Sequence, residues 1–386
     1  MSSYSSFVAA SQSVADSSQA QPDAHVLSYG VMGSISSVPA GFAMETIVYS
    51  SASGVSAAML GWGDVLLKEY GKQRYAYRDD LTMQRLGYST DNGAFYCCCT
   101  PYVAAAARST ACVRPPPMNK TYEDTLVAVK AYSTAQRLPY AYILLDSWWY
   151  YKSSEDFKVD LWDARPSVFP HGLVAFSHTT DWPLQLHCGQ MWTPTTRYST
   201  QNGGAYKFIH DGSPVVVPEE QRFWDDLLAN KTSAAARLRG YANQRVQIKA
   251  RSPRLRSSMI TYEMDWMNDQ FTMSKAMLSN ISIGRRWLMQ ADAAAIKSNV
   301  SIQICMALVR QTMQSVEMKS VTNARASNDY HPGNTQWSIV GTTSILLHAI
   351  GVAPSKDNFW STTGVQSGSH WGGGVREPHS ELQSAV

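Results

Sequence analysis

The hydrophobic positions of this chain fall into short continuous runs that alternate with stretches of helical periodicity. Seven runs are rich in β-branched and aromatic residues, and they cover residues 86–98, 141–151, 184–192, 257–266, 300–307, 319–327 and 357–363. Helical stretches lie between them, at residues 122–138, 219–231 and 334–351. Continuous apolar strands separated by helices are typical of a parallel sheet that is covered on both faces. The pattern therefore predicts an α/β fold.

Seven β-α repeats favour a (β/α)8 barrel of the TIM type over a doubly wound sheet. The eighth unit is missing, because the chain passes into the Gly- and Ser-rich residues 364–378 and stops soon afterwards. We therefore expect a barrel that lacks its last β-strand. Three regions follow from this reading: a disordered Ser/Ala-rich tail, a β-rich segment with a linker helix, and a catalytic barrel domain that is incomplete at its C-terminus. They occupy residues 1–24, 25–80 and 81–386.

The region before the barrel combines a β-like pattern with one helix. Residues 42–51, FAMETIVYSS, give the clearest strand prediction in this region. Residues 55–71 predict a helix that ends at Gly71, because glycine is the usual residue just beyond a helix C-terminus.

The composition narrows the classes of function. Hydrophobic residues make up 44% of the chain and charged residues only 16%, with 12 Trp and 20 Tyr. A net charge of +3 is too small to predict a nucleic-acid partner or an acidic membrane surface. The basic stretch at residues 237–256 is therefore interpreted as a solvated helix face and loop. We expect neither nucleic acid nor membrane as a partner.

Targeting and metal-binding signals are equally sparse in the sequence. No run approaches the roughly 20 apolar residues that span a bilayer, and the N-terminus does not resemble a secretory signal, so a cytoplasmic location is favoured. The cysteines include the consecutive Cys97, Cys98 and Cys99, and no pair has metal-ligand spacing. We therefore expect no disulfide framework, no metal site and no other cofactor.

Polar and aromatic side chains cluster where the predicted strands end, which is where barrel enzymes place their chemistry. These candidates are Asp91, Asp146, Trp148, Trp149, His187, Trp192, Glu263, Asp265, Arg325, Asp329 and Asp357. Acids, an arginine and tryptophans together fit a carbohydrate site. The hydroxyl groups of a sugar can hydrogen-bond to the acids and the arginine, and its C–H faces can pack against the tryptophan rings. Any one aspartate at a strand end is equally well explained as the N-cap of the following helix.

Three segments in this order carry a family resemblance: AYILLDSWWY, YEMDW and NARASNDYHP. They resemble the clan of retaining α-glycosidases that contains glycoside hydrolase families 27, 31 and 36. The similarity is greatest to the raffinose-synthase and alkaline α-galactosidase branch of family 36, and it extends over roughly residues 42–386. RASNDY is the most specific of the matching motifs.

The resemblance implies roles for individual residues. Asp265 would be the nucleophile that forms a covalent glycosyl-enzyme intermediate, and Asp329 would be the general acid and then the general base. Arg325 would hold substrate hydroxyls near the nucleophile. Asp146 would bind sugar hydroxyls, with Trp148 or Trp149 as a hydrophobic wall. The implied reaction is the hydrolysis of α-galactoside- or α-glucoside-like substrates with retention, so the expected partner is an oligosaccharide or glycoside.

The sequence also departs from that family. Many members have lysine two residues before the nucleophile, where this chain has Glu263, and the frequent Asp-Asp pair is here Asp146-Ser147. Three alternatives therefore stay open beside hydrolysis. They are a transglycosylase of the raffinose-synthase type, a non-catalytic carbohydrate-binding pseudoenzyme, and an unrelated barrel enzyme. No oligomeric state is predicted.

Overall fold

A computed structural model describes residues 6–11, 26–90, 121–153, 158–232, 259–327 and 337–356 of the 386-residue chain. The described strands are β1 (Ser6–Ser11), β2 (Val26–Val31), β3 (Gly87–Ser89), β4 (Tyr142–Leu145), β5 (Tyr150–Lys152), β6 (Val159–Ala164), β7 (Leu184–Gly189), β8 (Phe208–Ile209), β9 (Val217–Pro218), β10 (Met259–Asp265), β11 (Ser301–Ile304), β12 (Val321–Arg325) and β13 (Ala353–Ser355). The described α-helices are α1 (Val55–Tyr70), α2 (Leu81–Gln84), α3 (Tyr122–Ala135), α4 (Gly172–Thr180), α5 (Gln221–Thr232), α6 (Met267–Met273), α7 (Lys275–Ser279), α8 (Ile283–Ser298), α9 (Val309–Gln314) and α10 (Trp337–Ala349).

One parallel sheet of seven strands organises the fold. Its order is β3-β4-β7-β10-β11-β12-β13, so each strand lies beside the next sheet strand along the chain. A doubly wound sheet reverses its strand order once, whereas this order never reverses. Helices flank this sheet, which curls into a half-barrel. Since β-α-β crossovers are almost always right-handed, connections that advance in one constant direction are expected to place the helices on one face. The predicted α/β class and parallel sheet are confirmed, with seven strands in the half-barrel.

The two faces of this sheet have different chemistry. The face towards the helices is apolar, with Leu186, Tyr262 and Ile302 in register on neighbouring strands and all buried. Burying such a side chain contributes about 1.5–3 kcal/mol, so this face anchors the sheet. The inner face carries polar residues such as Gln185 and Gln303, which are also buried. Polar side chains therefore line the inner face of the sheet up to the carboxyl ends of its strands.

The helix α1 confirms the helix that was predicted at residues 55–71. Gly71 ends it with a left-handed backbone (φ 63°). Lys72 follows and is buried, and its ammonium donates to the backbone oxygens of Ser315, Met318 and Val321 at 2.7, 3.2 and 3.3 Å. Three charge-assisted hydrogen bonds of this kind fix the end of α1 to the chain segment that leads into β12.

Among the described residues no helix is both long and apolar enough to cross a membrane.

One β prediction was wrong. Residues 42–51 form no strand, because their exposed backbone has no partner strand within the described ranges. The seventh sheet strand is β13, whereas the predicted run at 357–363 lies outside the described residues.

The position of β13 has a local cause. Gly351 adopts a left-handed backbone (φ 73°) just after α10, and the chain enters β13 almost at once. Pro354 lies within β13, where it is tolerated because β13 is an edge strand of the described sheet. The sequence pattern does not predict this strand, because it is only three residues long and contains a proline.

The N-terminal tail also differs from its prediction. Residues 1–24 were expected to be disordered, yet β1 lies within them and pairs antiparallel with β2.

Candidate active site

Asp265 is the last residue of β10, and its side chain is 10% exposed. Its Oδ1 accepts hydrogen bonds from the backbone N–H groups of Trp266 at 2.8 Å and Met306 at 3.0 Å. Its Oδ2 lies 3.0 Å from Nε2 of His187. Met306, two residues after the neighbouring strand β11, thus helps to fix this carboxylate at the carboxyl edge of the sheet.

The surroundings of Asp265 keep its carboxyl group ionised. Burial, the largest single effect, raises the pKa of Asp265, but several partners outweigh it. A hydrogen bond and positive charge from His187, the charge of Arg325 and a hydrogen bond from Cys305 together hold the pKa well below its usual range. Asp265 is therefore a buried anion at neutral pH, as a carboxylate nucleophile must be.

His187 lies on β7 and is 1% exposed. Its Nδ1 is 3.1 Å from the hydroxyl oxygen of Tyr150, which also accepts the backbone N–H of Gly189 at 3.0 Å. Burial lowers the pKa of His187, but the charge of Asp146 and the hydrogen bond and charge of Asp265 raise it to about 9. The imidazole is therefore protonated at neutral pH, and both of its nitrogens are engaged within the protein.

This pair predicts that stability depends on pH. Because the pKa of His187 rises from 6.5 to about 9 on folding, its stabilising contribution is complete below pH 6.5 and is lost as pH rises through 9. The unfolding free energy of the wild type, minus that of His187→Gln, should fall by about 3 kcal/mol over this range. Urea titrations at a series of pH values measure this difference. Parallel stability curves for the two proteins would contradict it.

Asp146 follows β4 and faces the same site. It is buried, its N–H donates to the hydroxyl of Thr90 at 2.9 Å, and its carboxylate accepts the N–H of Ser147. Its charge acts on His187 and on Lys152. The structure thus brings Asp146, His187 and Asp265 together at the ends of three adjacent sheet strands.

Lys152 is a member of this site that the sequence did not suggest. Its ammonium lies 5.5, 5.2 and 5.1 Å from the ring centroids of Trp148, Tyr150 and Trp266. Burial lowers its pKa to about 8, against the opposing charges of Asp146 and Asp265. Lys152 lies on β5, which pairs antiparallel with β6, so the hairpin brings the ammonium back over the sheet edge. The contact of Lys152 with the site depends on the pairing of β5 with β6, which the sequence pattern does not show.

Trp266 has a left-handed backbone (φ 50°, ψ 35°), which is unusual for a large side chain. Its ring lies 5.7 Å from the ring of His187. It also covers Gly189, where a Cβ would lie 2.6 Å from the indole. Glycine at this position is therefore needed for the ring to sit against the end of β7. Such backbone outliers are concentrated at functional sites.

Glu263 lies two residues before Asp265 on the same face of β10 and is 1% exposed. It is in register with His187 and Gln303, and its Oε2 accepts the amide of Gln185 at 3.3 Å. Gln185 also donates to Gln303. Glu263 was predicted to contact substrate at the barrel mouth, but it lies one layer deeper, in a polar layer inside the half-barrel.

Replacing Glu263 by glutamine should therefore change little. The glutamine oxygen can accept the same hydrogen bond from Gln185, so we expect the unfolding free energy to stay within about 1 kcal/mol, whereas alanine should cost about 1–3 kcal/mol. Chemical denaturation of both variants tests this. If Glu263→Gln left stability unchanged but weakened sugar binding tenfold or more, Glu263 would instead contact substrate.

The remaining described candidates divide between core and site. Trp149 and Trp192 were predicted to bind substrate, but both are fully buried in aromatic core. Trp149 packs at 5.6 Å from Trp162, and Trp192 packs at 5.1 Å from Phe223. Arg325 is half-buried at the end of β12 and acts on Asp265 through its charge. Trp148 is half-buried beside Lys152.

Three predicted residues, Asp91, Asp329 and Asp357, lie outside the described residues, as does the basic stretch 237–256. Within the described ranges no group of three or more His, Cys, Asp and Glu side chains has the geometry of a metal site. The described site itself consists of a carboxylate, Asp265, set among cations and aromatic rings.

The chain was compared with protein-family models and with curated proteins, and the geometry around Asp265 is the basis for the functional assignment below. No protein-family model and no curated protein matches the chain.

Proposed function

We propose that this protein is a retaining glycoside hydrolase that acts on α-linked sugars and is built on a (β/α)8-type barrel. The observation that carries the proposal is the Asp265 carboxylate. It is buried, ionised and held by hydrogen bonds at the carboxyl end of a central parallel strand. A carboxylate nucleophile requires each of these properties, because it must keep its charge and a fixed direction of attack.

The proposed reaction has two steps. An oxygen of Asp265 attacks the anomeric carbon while the glycosidic C–O bond breaks, and Asp329 gives its proton to the leaving oxygen. Asp329 then takes a proton from water, the water oxygen bonds to the anomeric carbon, and the ester bond to Asp265 breaks. The nucleophile regains its negative charge, and the sugar keeps its anomeric configuration. Retention calls for the two carboxyl groups to lie about 5–5.5 Å apart.

The described neighbours supply the functions that such a substrate needs. Asp146 and Arg325 offer an acceptor and donors for sugar hydroxyls on either side of Asp265. The half-buried rings of Trp148 and Trp266 offer apolar faces for the C–H side of a sugar. Lys152 adds a cation between those rings and the two carboxylates. These residues support an uncharged polyhydroxylated ligand better than an apolar one.

Covalent labelling tests the proposal. Activated fluorinated α-glycosides should glycosylate the nucleophile, with loss of their leaving group, faster than the resulting glycosyl ester hydrolyses, so the protein mass should rise by one glycosyl unit. Peptide mapping should place that unit on Asp265, and Asp265→Asn should abolish it. Asp225→Asn is a matched control, because Asp225 forms a surface ion pair with Lys297 at 2.7 Å.

Each other outcome has a distinct meaning. Labelling of a different carboxylate would overturn the assignment of Asp265. Sugar binding without labelling or turnover would identify a carbohydrate-binding pseudoenzyme. Transfer of the label to an added acceptor sugar in preference to water would identify a transglycosylase.

A further inference from the structure

The two nitrogens of His187 are both occupied by protein groups. Nε2 is 3.0 Å from Oδ2 of Asp265, and Nδ1 is 3.1 Å from the Tyr150 hydroxyl, in a ring that is 1% exposed. A sugar hydroxyl therefore has no nitrogen of His187 to bind. His187 was predicted to contact substrate, but its geometry directs it to the nucleophile.

The two oxygens of Asp265 are not equivalent. Oδ1 accepts two backbone N–H groups, which use both of its lone pairs. Oδ2 accepts a hydrogen bond from His187 and keeps a second lone pair. Arg325 acts on this carboxylate through its charge, and the Cys305 thiol is a weak donor that a substrate atom can displace. Oδ2 is thus the oxygen that can form a bond to carbon.

We propose that His187 and Tyr150 are positioning residues that make Oδ2 of Asp265 the attacking atom, and that the His187 imidazolium speeds the step in which Asp265 leaves. The inference rests on the proposed glycosidase function. Tyr150 fixes the imidazole on the side away from Asp265, through its contact with Nδ1. The Tyr150 hydroxyl is itself held in place because it accepts a hydrogen bond from the N–H of Gly189 at 3.0 Å. The hydroxyl accepts from a protonated Nδ1 and can donate to a deprotonated one, so the contact survives either state.

Electrostatics makes the two chemical steps respond differently to His187. In the first step Asp265 changes from an anion to a neutral ester, so the imidazolium loses a charge partner. In the second step the bond between the anomeric carbon and Oδ2 breaks, and its electron pair returns to Oδ2. The imidazolium stabilises that returning charge, while no bond to His187 forms or breaks. Removing the charge should therefore slow the second step selectively.

Groups on several strands maintain the charge of His187. The charged and titratable side chains that face it are Asp146 after β4, Tyr150 and Lys152 on β5, and Glu263 and Asp265 on β10. The three carboxylates favour the imidazolium over the neutral ring. Lys152 also titrates, near pH 8, so a pH–rate profile alone would mix the two groups. The test must therefore observe His187 directly.

The kinetic arm uses His187→Gln in the full chain, because glutamine keeps an N–H donor but carries no charge. With an activated α-glycoside, the first step should stay within about threefold of wild type, and the second should slow about 10- to 100-fold. The covalent glycosyl-enzyme should then accumulate in the steady state and appear by mass spectrometry. Tyr150→Phe should act in the same direction, about three- to tenfold, and it preserves the packed ring.

Two control variants match these changes away from the site. His210→Gln removes an imidazole that contacts Ser199 at 2.9 Å, and Tyr198→Phe removes a hydroxyl that contacts the backbone of Trp162 at 3.4 Å. Neither should alter the balance between the two steps. An unchanged balance in both His187→Gln and Tyr150→Phe would overturn the inference.

The second arm needs no catalytic activity. Nuclear magnetic resonance of the histidine 13Cε1 atoms, assigned with His187→Gln, should show His187 titrating near pH 9. Asp265→Asn should lower that midpoint by at least one pH unit, and an unchanged midpoint would overturn the inference. Absence of labelling and turnover in the wild type would instead remove the proposed function. In that case the titration still decides whether Asp265 holds His187.

Discussion

Replacing Asp265 by glycine should lower kcat for activated α-glycosides by about 10⁴-fold or more, because the variant lacks the carboxylate that we propose as the nucleophile. Asp265 lies at the end of β10 and contributes no apolar packing, but the variant leaves His187 and two backbone N–H groups without this partner, so we expect it to fold with reduced stability. Steady-state kinetics with an aryl α-glycoside measures the loss. Circular dichroism and a thermal melt confirm that the loss is not due to unfolding.

Added azide sharpens this prediction. The space left by the carboxylate admits a small anion, which should attack the anomeric carbon from the side that Asp265 occupied. The glycosyl azide product should then have the inverted β-configuration, and rates should recover with azide concentration. The corresponding glycine variant at Asp329 should give the α-azide, because Asp265 remains as nucleophile there. An α-azide from the Asp265 variant would exclude it as the nucleophile.

Replacing Trp192 by alanine should lower the unfolding free energy by about 3–5 kcal/mol. The ring is fully buried and contacts Tyr198, Phe208, Phe223 and Trp224 at centroid distances of 5.1–6.4 Å. Its backbone also bridges Val159 and Val216. Loss of the indole would leave a cavity where several elements meet. Urea denaturation of the two proteins gives the difference.

The matched variant Trp192→Phe separates packing from sugar binding. It keeps an aromatic ring in the cluster, so we expect a smaller stability loss of about 1–2 kcal/mol and an unchanged KM. If the ring instead stacked on a sugar, Trp192→Phe would raise KM about tenfold with little change in stability. That result would show that Trp192 binds substrate, as the sequence predicted.

The sequence was sufficient for features that depend on local pattern. The helix α1 and its end at Gly71 follow from periodicity and glycine chemistry, and β10 follows from its apolar run. Asp265 was identified because acids at strand ends are chemically conspicuous. The hydrogen bond that its carboxylate accepts from the backbone N–H of Met306 was not predictable, because it depends on how β11 lies beside β10.

Features that depend on tertiary contacts were missed or misplaced. Lys152 reaches the site only through the β5–β6 hairpin, and Tyr150 meets His187 only because strands β4 and β7 are neighbours. Trp192 follows β7 closely in sequence, so a core ring and a binding ring look alike there. The strand β13 was missed because Pro354 argues against a strand unless the strand lies at an edge.

The connection between β10 and α6 limits how the length of the chain around this site can change during evolution. β10 ends at Asp265 and α6 begins at Met267, so one strained residue, Trp266, joins them. Insertions there would detach the carboxylate from the backbone donors that orient it. By contrast, residues 190–220 connect β7 to α5 and already contain the small β8–β9 ribbon. New substrate preferences are therefore expected to evolve by changes in length and sequence after β7, while the junction at Trp266 keeps a constant length.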